Sequence, residues 1–358
     1  MKGWPLRATA AGVCLHTAPS PPAAESREGG SLPVGHELSE GVCALAGPLR
    51  LHFGGQLEKV EIAYRLVGAA GAPVVAVLGG ISSGRNVFGV RSGESGWWEE
   101  VVGPGKALDT DRFRVLGFDW LGGSHRTTGP APGAGFPSIS AYDQAQCLVA
   151  LLAHLGIARL RGCAGASYGG MVSLALAEHH PELAGHIVVV SAAHRTHPMS
   201  TAWRSVQRAI VRYALGHGEG ARGLVLARAL AMATYRSARE FDERFTGPPE
   251  LTADGFVFPV EQYLISRGAS YAAHYRPEAF VCLSESIDLH RVEPERITAP
   301  VTLVGVEEDQ LVPLSDMREL RDRLAGTCRL VEISSMYGHD FFLKEQAVLR
   351  DVFAQSLE

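Results

Sequence analysis

Six runs along the chain are apolar almost throughout: "APVVAVLGG" (72–80), "RFRVLGFDW" (112–120), "RLRGCAGA" (159–166), "GHIVVVSAA" (185–193), "APVTLVGVEED" (299–309) and "CRLVEISSM" (328–336). Short runs that do not alternate with polar residues predict strands covered on both faces, as in a parallel sheet flanked by helices. Longer stretches with helical spacing separate them, and "DQAQCLVALLAHLG" (143–156) predicts a helix that Gly156 closes. Between about 195 and 295 the pattern changes. There "AWRSVQRAIVRYAL", "GLVLARALAMATYRSAREF" and "PVEQYLISRGASYAAHY" read as helices, and no strong strand run interrupts them. The expectation is an α/β fold: one mostly parallel sheet built from 41–194 and 296–358, with a helical lid inserted at 195–295. Residues 1–40, rich in Pro, Ala, Gly and Ser without a hydrophobic period, are expected to form a flexible leader.

Composition narrows the class. A chain of 358 residues that is 46% hydrophobic can bury one large core. Its 33 basic and 38 acidic residues leave a net charge of −5, and no basic run is long enough to follow a phosphate backbone, so nucleic acid is not an expected partner. Six scattered cysteines never form C-x-x-C, which disfavours a zinc ribbon and a disulfide framework and makes a reducing cytoplasm the simplest compartment. The N-terminal apolar stretch is too interrupted for a convincing signal peptide, and no run approaches the roughly 20 apolar residues of a membrane helix. No metal is expected either. The pairs His194/His197 and His179/His180 lack a carboxylate or cysteine cluster that would complete a site.

The candidate chemistry starts at "GASYGG" (165–170), where a strand pattern becomes a helix pattern around Ser167. Strand, Gly-x-Ser-x-Gly and helix together are the sequence form of a nucleophile elbow, whose glycines leave room for a sharp turn. The following amide, at Tyr168, would face a developing oxyanion at the helix N-terminus. An acid and a base then follow in the order such a fold requires. Asp309 lies in "EEDQLVP" after one strand and His339 in "MYGHDFF" after the next, with Glu307 and Glu308 as competitors for the acid. A serine hydroxyl needs an imidazole to take its proton, and the imidazole needs a carboxylate to fix its tautomer.

With these residues in place, the chain resembles the homoserine O-acyltransferase family of α/β-hydrolase-fold enzymes over roughly 50–350. The stretches that carry the resemblance are "WWEEVVGPGKALDTDRFRVLGFDWLGG", "TTGP", "FPSIS", "GASYGGM", "GLVLARALAMATYRS", "EQYL" and "GHDFFLKE". The resemblance implies a ping-pong reaction in which Ser167 takes an acyl group from an acyl-CoA co-substrate and passes it to the hydroxyl of L-homoserine, in methionine synthesis, with no bound cofactor. It also implies that Arg228 binds the acceptor's carboxylate, that Tyr235 lines the pocket and that Asp340 receives the ammonium. A homodimer built through the helical insertion is the expected assembly.

Departures from the family pattern bear on substrate choice. The oxyanion loop reads "LGGISSG" instead of His-Ala-Leu-Thr-Gly, which puts Ile81 at the second oxyanion donor, a backbone group that tolerates side-chain change. Tyr168 replaces a Met, and Asp119 replaces an Asn in "DWLGG". An acetyl donor is favoured and a succinyl donor is possible, with Arg85 in "SSGRNVF" as a candidate for the succinyl carboxylate. Serine as acceptor, or water in a serine hydrolase, are the alternatives, since the same triad serves all three.

Overall fold

A computed structural model describes residues 32–253 and 255–357. Eight strands form one sheet: β1 (His36–Ala44), β2 (Glu61–Ala69), β3 (Val74–Leu78), β4 (Arg114–Phe118), β5 (Gly162–Ala166), β6 (Ile187–Val190), β7 (Val301–Val306) and β8 (Cys328–Ile333). Their spatial order is β1-β2-β4-β3-β5-β6-β7-β8. Strand β2 runs antiparallel to both neighbours and the other five pairings are parallel. The continuous apolar runs are divided between two cores by the two-residue period of a strand. Val74, Ala76 and Leu78 of β3 face one core, and Val75 and Val77 face the other.

Helices α1 (Ala141–His154) and α2 (Tyr168–His179) cover one face. Ser140 starts α1 with a capping box in which its side chain meets the Asp143 amide while the Asp143 carboxylate meets the Ser140 amide, satisfying two otherwise orphaned donors. The helix ends before Gly156, which adopts φ +67°. Helix α9 (Gln346–Leu357) packs on the other face through Leu349, Val352 and Phe353.

Five helices form the insertion: α3 (Pro198–Gly216), α4 (Gly220–Tyr235), α5 (Ala238–Arg244), α6 (Pro259–Ala272) and α7 (Pro277–Asp288). Helix α8 (Leu314–Arg323) follows β7 and returns the chain to β8. Small residues let the lid helices approach. A Cβ at Gly223 would lie 2.4 Å from the Ala214 Cβ, and one at Gly268 would lie 2.3 Å from the Val225 carbonyl. Among the described residues no helix is long and apolar enough to cross a membrane.

The structure differs from the sequence reading in four places. Strand β1 begins at His36, so residues 36–40 belong to the sheet and not to a leader, while residues 1–31 lie outside the described residues. Strands β1 and β2 were not anticipated, because β1 mixes polar and apolar positions at a sheet edge and β2 carries Arg65 in its middle. The long helix expected from "GLVLARALAMATYRSAREF" breaks at Arg236 (φ −102°, ψ 151°), where Ser237 caps α5 by accepting from the Glu240 amide. A short hairpin, Glu250–Thr252 with Gly255–Val257, also stands inside the insertion, where no strand was expected.

Candidate active site

The turn at Ser167 joins β5 to α2 with φ 54° and ψ −120°, a backbone region that side chains rarely occupy. Its neighbours explain the glycines. A Cβ at Gly165 would stand 2.2 Å from the Gly169 carbonyl oxygen, and one at Gly169 would stand 2.1 Å from that of Leu78. Only glycine lets strand, turn and helix close this tightly, and the closure lifts the Ser167 hydroxyl off the sheet.

His339 reaches this hydroxyl. Its Nε2 lies 2.9 Å from Ser167 Oγ and its Nδ1 lies 2.7 Å from Asp309 Oδ2. The other Asp309 oxygen accepts from the amides of Leu311 at 2.8 Å and Val312 at 3.0 Å, which fixes the carboxylate from behind. Asp309 is thus the acid partner; Glu308 instead binds Ser334 and the Ser335 amide. Burial alone would push the His339 pKa down, but Asp309, by charge and hydrogen bond, and then Asp340 outweigh it and hold it above the ordinary 6.5. The chain Ser167–His339–Asp309 can therefore remove a proton from the hydroxyl and hold it as imidazolium.

Two amides are available where an oxyanion would form. Tyr168 is the first residue of α2, so its N–H has no intrahelical acceptor, and its phenol is turned into the core, where its oxygen lies 2.6 Å from Ser286 Oγ. Ile81 lines the same cavity as Ser167 and His339. The Gly80 carbonyl preceding it accepts from the Trp120 indole N–H at 2.9 Å, and Tyr275 donates to the Ile81 carbonyl at 2.7 Å. Both sides of the Ile81 backbone are thereby held.

Ser167 stands where two cavities meet. The outer mouth contains Arg228, Tyr235, Asp340, Trp97, Arg267 and Lys344. Arg228 packs its guanidinium 5.0 Å from the Tyr235 ring centre and 4.7 Å from that of Tyr271, and donates to the Tyr235 hydroxyl at 3.3 Å. Burial disfavours its charge, but the two tyrosines and Asp340 more than compensate and raise its pKa. Among the described residues no carboxylate lies within 4 Å of it. Asp340 pairs through Oδ2 with Arg236 at 3.2 Å, and Arg236 also meets Glu240 at 3.1 Å.

The inner chamber lies on the other side of Ser167 and contains groups that the sequence did not single out. Arg204 and Arg208, on successive turns of α3, share the carboxylate of Asp288 at 2.7 and 2.5 Å, all three side chains being almost wholly buried. Arg204 faces the chamber, and so do Asp316, whose Oδ2 has no hydrogen-bond partner among the described residues, and Ser191, held at φ 50° with its buried hydroxyl unpartnered. The spacing of 204 and 208 marks them only as neighbours on one helical face. Arg85 does not reach either cavity. Its backbone amide and its guanidinium are both bound by the buried Asp119, which corrects the expectation that it would hold an acyl carboxylate. Among the described residues no group of three His, Cys, Asp or Glu is placed to hold a metal ion.

Comparison with known proteins follows the same lines. Residues 73–346 match the α/β hydrolase fold family. The chain is 44% identical to a homoserine O-succinyltransferase of Xanthomonas campestris over 83% of its own length and 78% of the relative's. It is 33% identical to a homoserine O-acetyltransferase of Thermobifida fusca, over 87% of this chain and 93% of that one. The fold superposes on the crystal structure of a homoserine O-acetyltransferase from Bacillus anthracis with a TM-score of 0.81 at 18% identity, covering 90% of this chain and 98% of the other. With an elbow serine, a histidine and an aspartate in one hydrogen-bonded chain, and relatives of this identity and coverage, the chain belongs to the homoserine O-acyltransferase family of the α/β-hydrolase superfamily.

Proposed function

We propose that the protein transfers a short acyl group from an acyl-CoA to the side-chain hydroxyl of L-homoserine through an acyl-serine intermediate, supplying an activated ester for methionine synthesis. Ser167 attacks the thioester carbonyl while His339 takes its proton, and the amides of Ile81 and Tyr168 stabilise the tetrahedral oxyanion. His339 returns the proton to the departing CoA thiolate. Homoserine then enters with its carboxylate on Arg228 beside Tyr235 and its ammonium on Asp340, which Arg236 anchors through one oxygen. His339 deprotonates the acceptor hydroxyl, the hydroxyl attacks the acyl carbonyl, and collapse frees Ser167. The observation that carries this reading is the half-buried Arg228. A cation packed between two tyrosines, with no carboxylate partner among the described residues, is costly unless a substrate anion completes it, and a simple esterase has no need of one.

For the donor we favour succinyl-CoA over acetyl-CoA. Arg204 faces the chamber behind Ser167 and, among the described residues, shares its one carboxylate partner, Asp288, with Arg208, so the free carboxylate of a succinyl group would find a guanidinium there. The 44% identity to a succinyltransferase supports the same choice. The setting is a reducing cytoplasm, in keeping with five free cysteines among the described residues. The working form is a homodimer joined through the insertion.

CoA release from succinyl-CoA and acetyl-CoA, each with homoserine, serine or no acceptor, tests the reading, with Ser167→Ala as control. Release that requires homoserine and is lost in the variant is the expected result. Equally fast release without any amino acid would make the protein a hydrolase.

A further inference from the structure

The outer mouth carries more positive charge than the acceptor needs. Among the described residues four cations line it: Arg228, Arg236, Arg267 and Lys344. Arg228 is half-buried and packed against its tyrosines, and Arg236 is neutralised by Asp340 and Glu240. Arg267, on α6, and Lys344, just after the His339 turn, are exposed, and among the described residues neither side chain makes an ion pair or a hydrogen bond. They come from two elements, one in the lid and one in the core. Both line the cavity that reaches Ser167, in a protein whose net charge is −5. Trp97 and Phe342 supply apolar surface in the same mouth.

Resting on the acyl-CoA reading above, we infer that Arg267 and Lys344 form the anchoring site for the phosphate groups of the donor, with its pantetheine arm passing the apolar wall toward Ser167. A thioester donor of this kind is a polyanion joined to its reacting carbonyl by a long neutral arm. Two unpaired cations at the rim and a nucleophile at the base match that division of charge. They also act before chemistry, because cations at the entrance of a narrow cleft raise the local concentration of a polyanion and accelerate its encounter. Binding made far from the reacting bond is retained equally in ground and transition states, so its loss appears in KM and not in kcat.

The test compares succinyl-CoA with the succinyl thioester of N-acetylcysteamine, which keeps the reacting group and lacks the phosphates. In Arg267→Ala/Lys344→Ala, the ratio of kcat/KM for the CoA donor to kcat/KM for the short donor is expected to fall about tenfold through KM, with Arg267→Lys retaining most of the wild-type ratio. Raising the salt concentration is expected to increase the wild-type KM for succinyl-CoA and to affect the double variant much less. Calorimetric titration with CoA itself keeps the inference separate from the reaction. If CoA binds the double variant as tightly as the wild type, the anchoring site is overturned whatever the enzyme transfers. If both proteins release CoA without an acceptor but differ in CoA affinity as expected, the anchor stands and the transferase reading falls. Equal losses with both thioesters would also overturn the anchor, because they would mark a change at the serine.

Discussion

At the scale of single residues, His339 sets the pH behaviour. The imidazole must be neutral to accept the Ser167 proton, and Asp309 and Asp340 hold its pKa above 6.5 despite burial. Activity is therefore expected to be lost as pH falls through a value above 6.5, and the acid limb of a kcat/KM profile locates it. Asp309→Asn removes the charge that fixes the tautomer, with an expected loss of about 10⁴ in kcat and a limb displaced to lower pH. On the proposed reaction, donor choice also rests on single groups. Arg204→Ala leaves Arg208 and Asp288 as a one-to-one pair, so the lid should persist while the ratio of succinyl to acetyl transfer drops about thirtyfold, the worth of one charge-assisted bond. Asp316→Asn, which removes a negative charge from the same chamber, is expected to move the ratio upward; competition between the two donors measures both. Ser167, Asp309 and His339 were legible because each lies in a short segment just beyond a strand. Arg204 was not, since an arginine on an amphipathic helix reads as solvated until the packing of α3 on α7 shows where it points.

At the scale of elements, legibility followed the periodicity. All six continuous apolar runs became strands of the main sheet, whereas β1 and β2, partly polar, were passed over. The elbow depends on closeness that no side-chain pattern reports. Gly165→Ala would drive a methyl group into the Gly169 backbone, which cannot retreat because Gly169 itself touches Leu78. An expected cost of about 3 kcal/mol or more can be read from denaturant unfolding. The outer face of α3 raises a different question. Met199, Val206 and Tyr213 recur at seven-residue intervals and are 52%, 52% and 72% exposed, with Ala202 and Ala209 between them. Apolar positions at alternating steps of three and four form the seam along which two helices pack, and two copies related by a two-fold axis would each present the same seam. On the dimer reading, Val206→Glu combined with Tyr213→Glu is expected to halve the mass measured by light scattering. An unchanged mass would place the interface elsewhere.

At the scale of the whole molecule, sheet and insertion meet around one peptide. The Ile81 N–H belongs to the same peptide plane as the Gly80 carbonyl, and that carbonyl accepts from the Trp120 indole. A trans peptide points its N–H opposite its C=O, so the indole turns the Ile81 donor to the far side of the plane. Tyr275, just beyond α6 of the lid, holds the next carbonyl, and Tyr168, from the core, reaches Ser286 of α7 while its ring centre lies 5.1 Å from that of Trp120 in an edge-to-face contact. The proposed oxyanion donors are thus oriented by groups from the strand-end loop after β4, the elbow and the lid together. None of this was legible in "DWLGG" or "LGGISSG", because the partners lie 40 and 194 positions apart in the chain. Trp120→Phe keeps an aromatic ring and deletes the donor. The expected result is about a tenfold slower acylation of Ser167 in single-turnover measurements with KM unchanged, because a freed amide stabilises the oxyanion less without altering ground-state binding. Tyr275→Phe frees only the following peptide and should cost less. If Trp120→Phe instead raised KM at constant acylation rate, the indole would be shaping the pocket and not the oxyanion donor, and the coupling between sheet, elbow and lid would have no part in the chemical step.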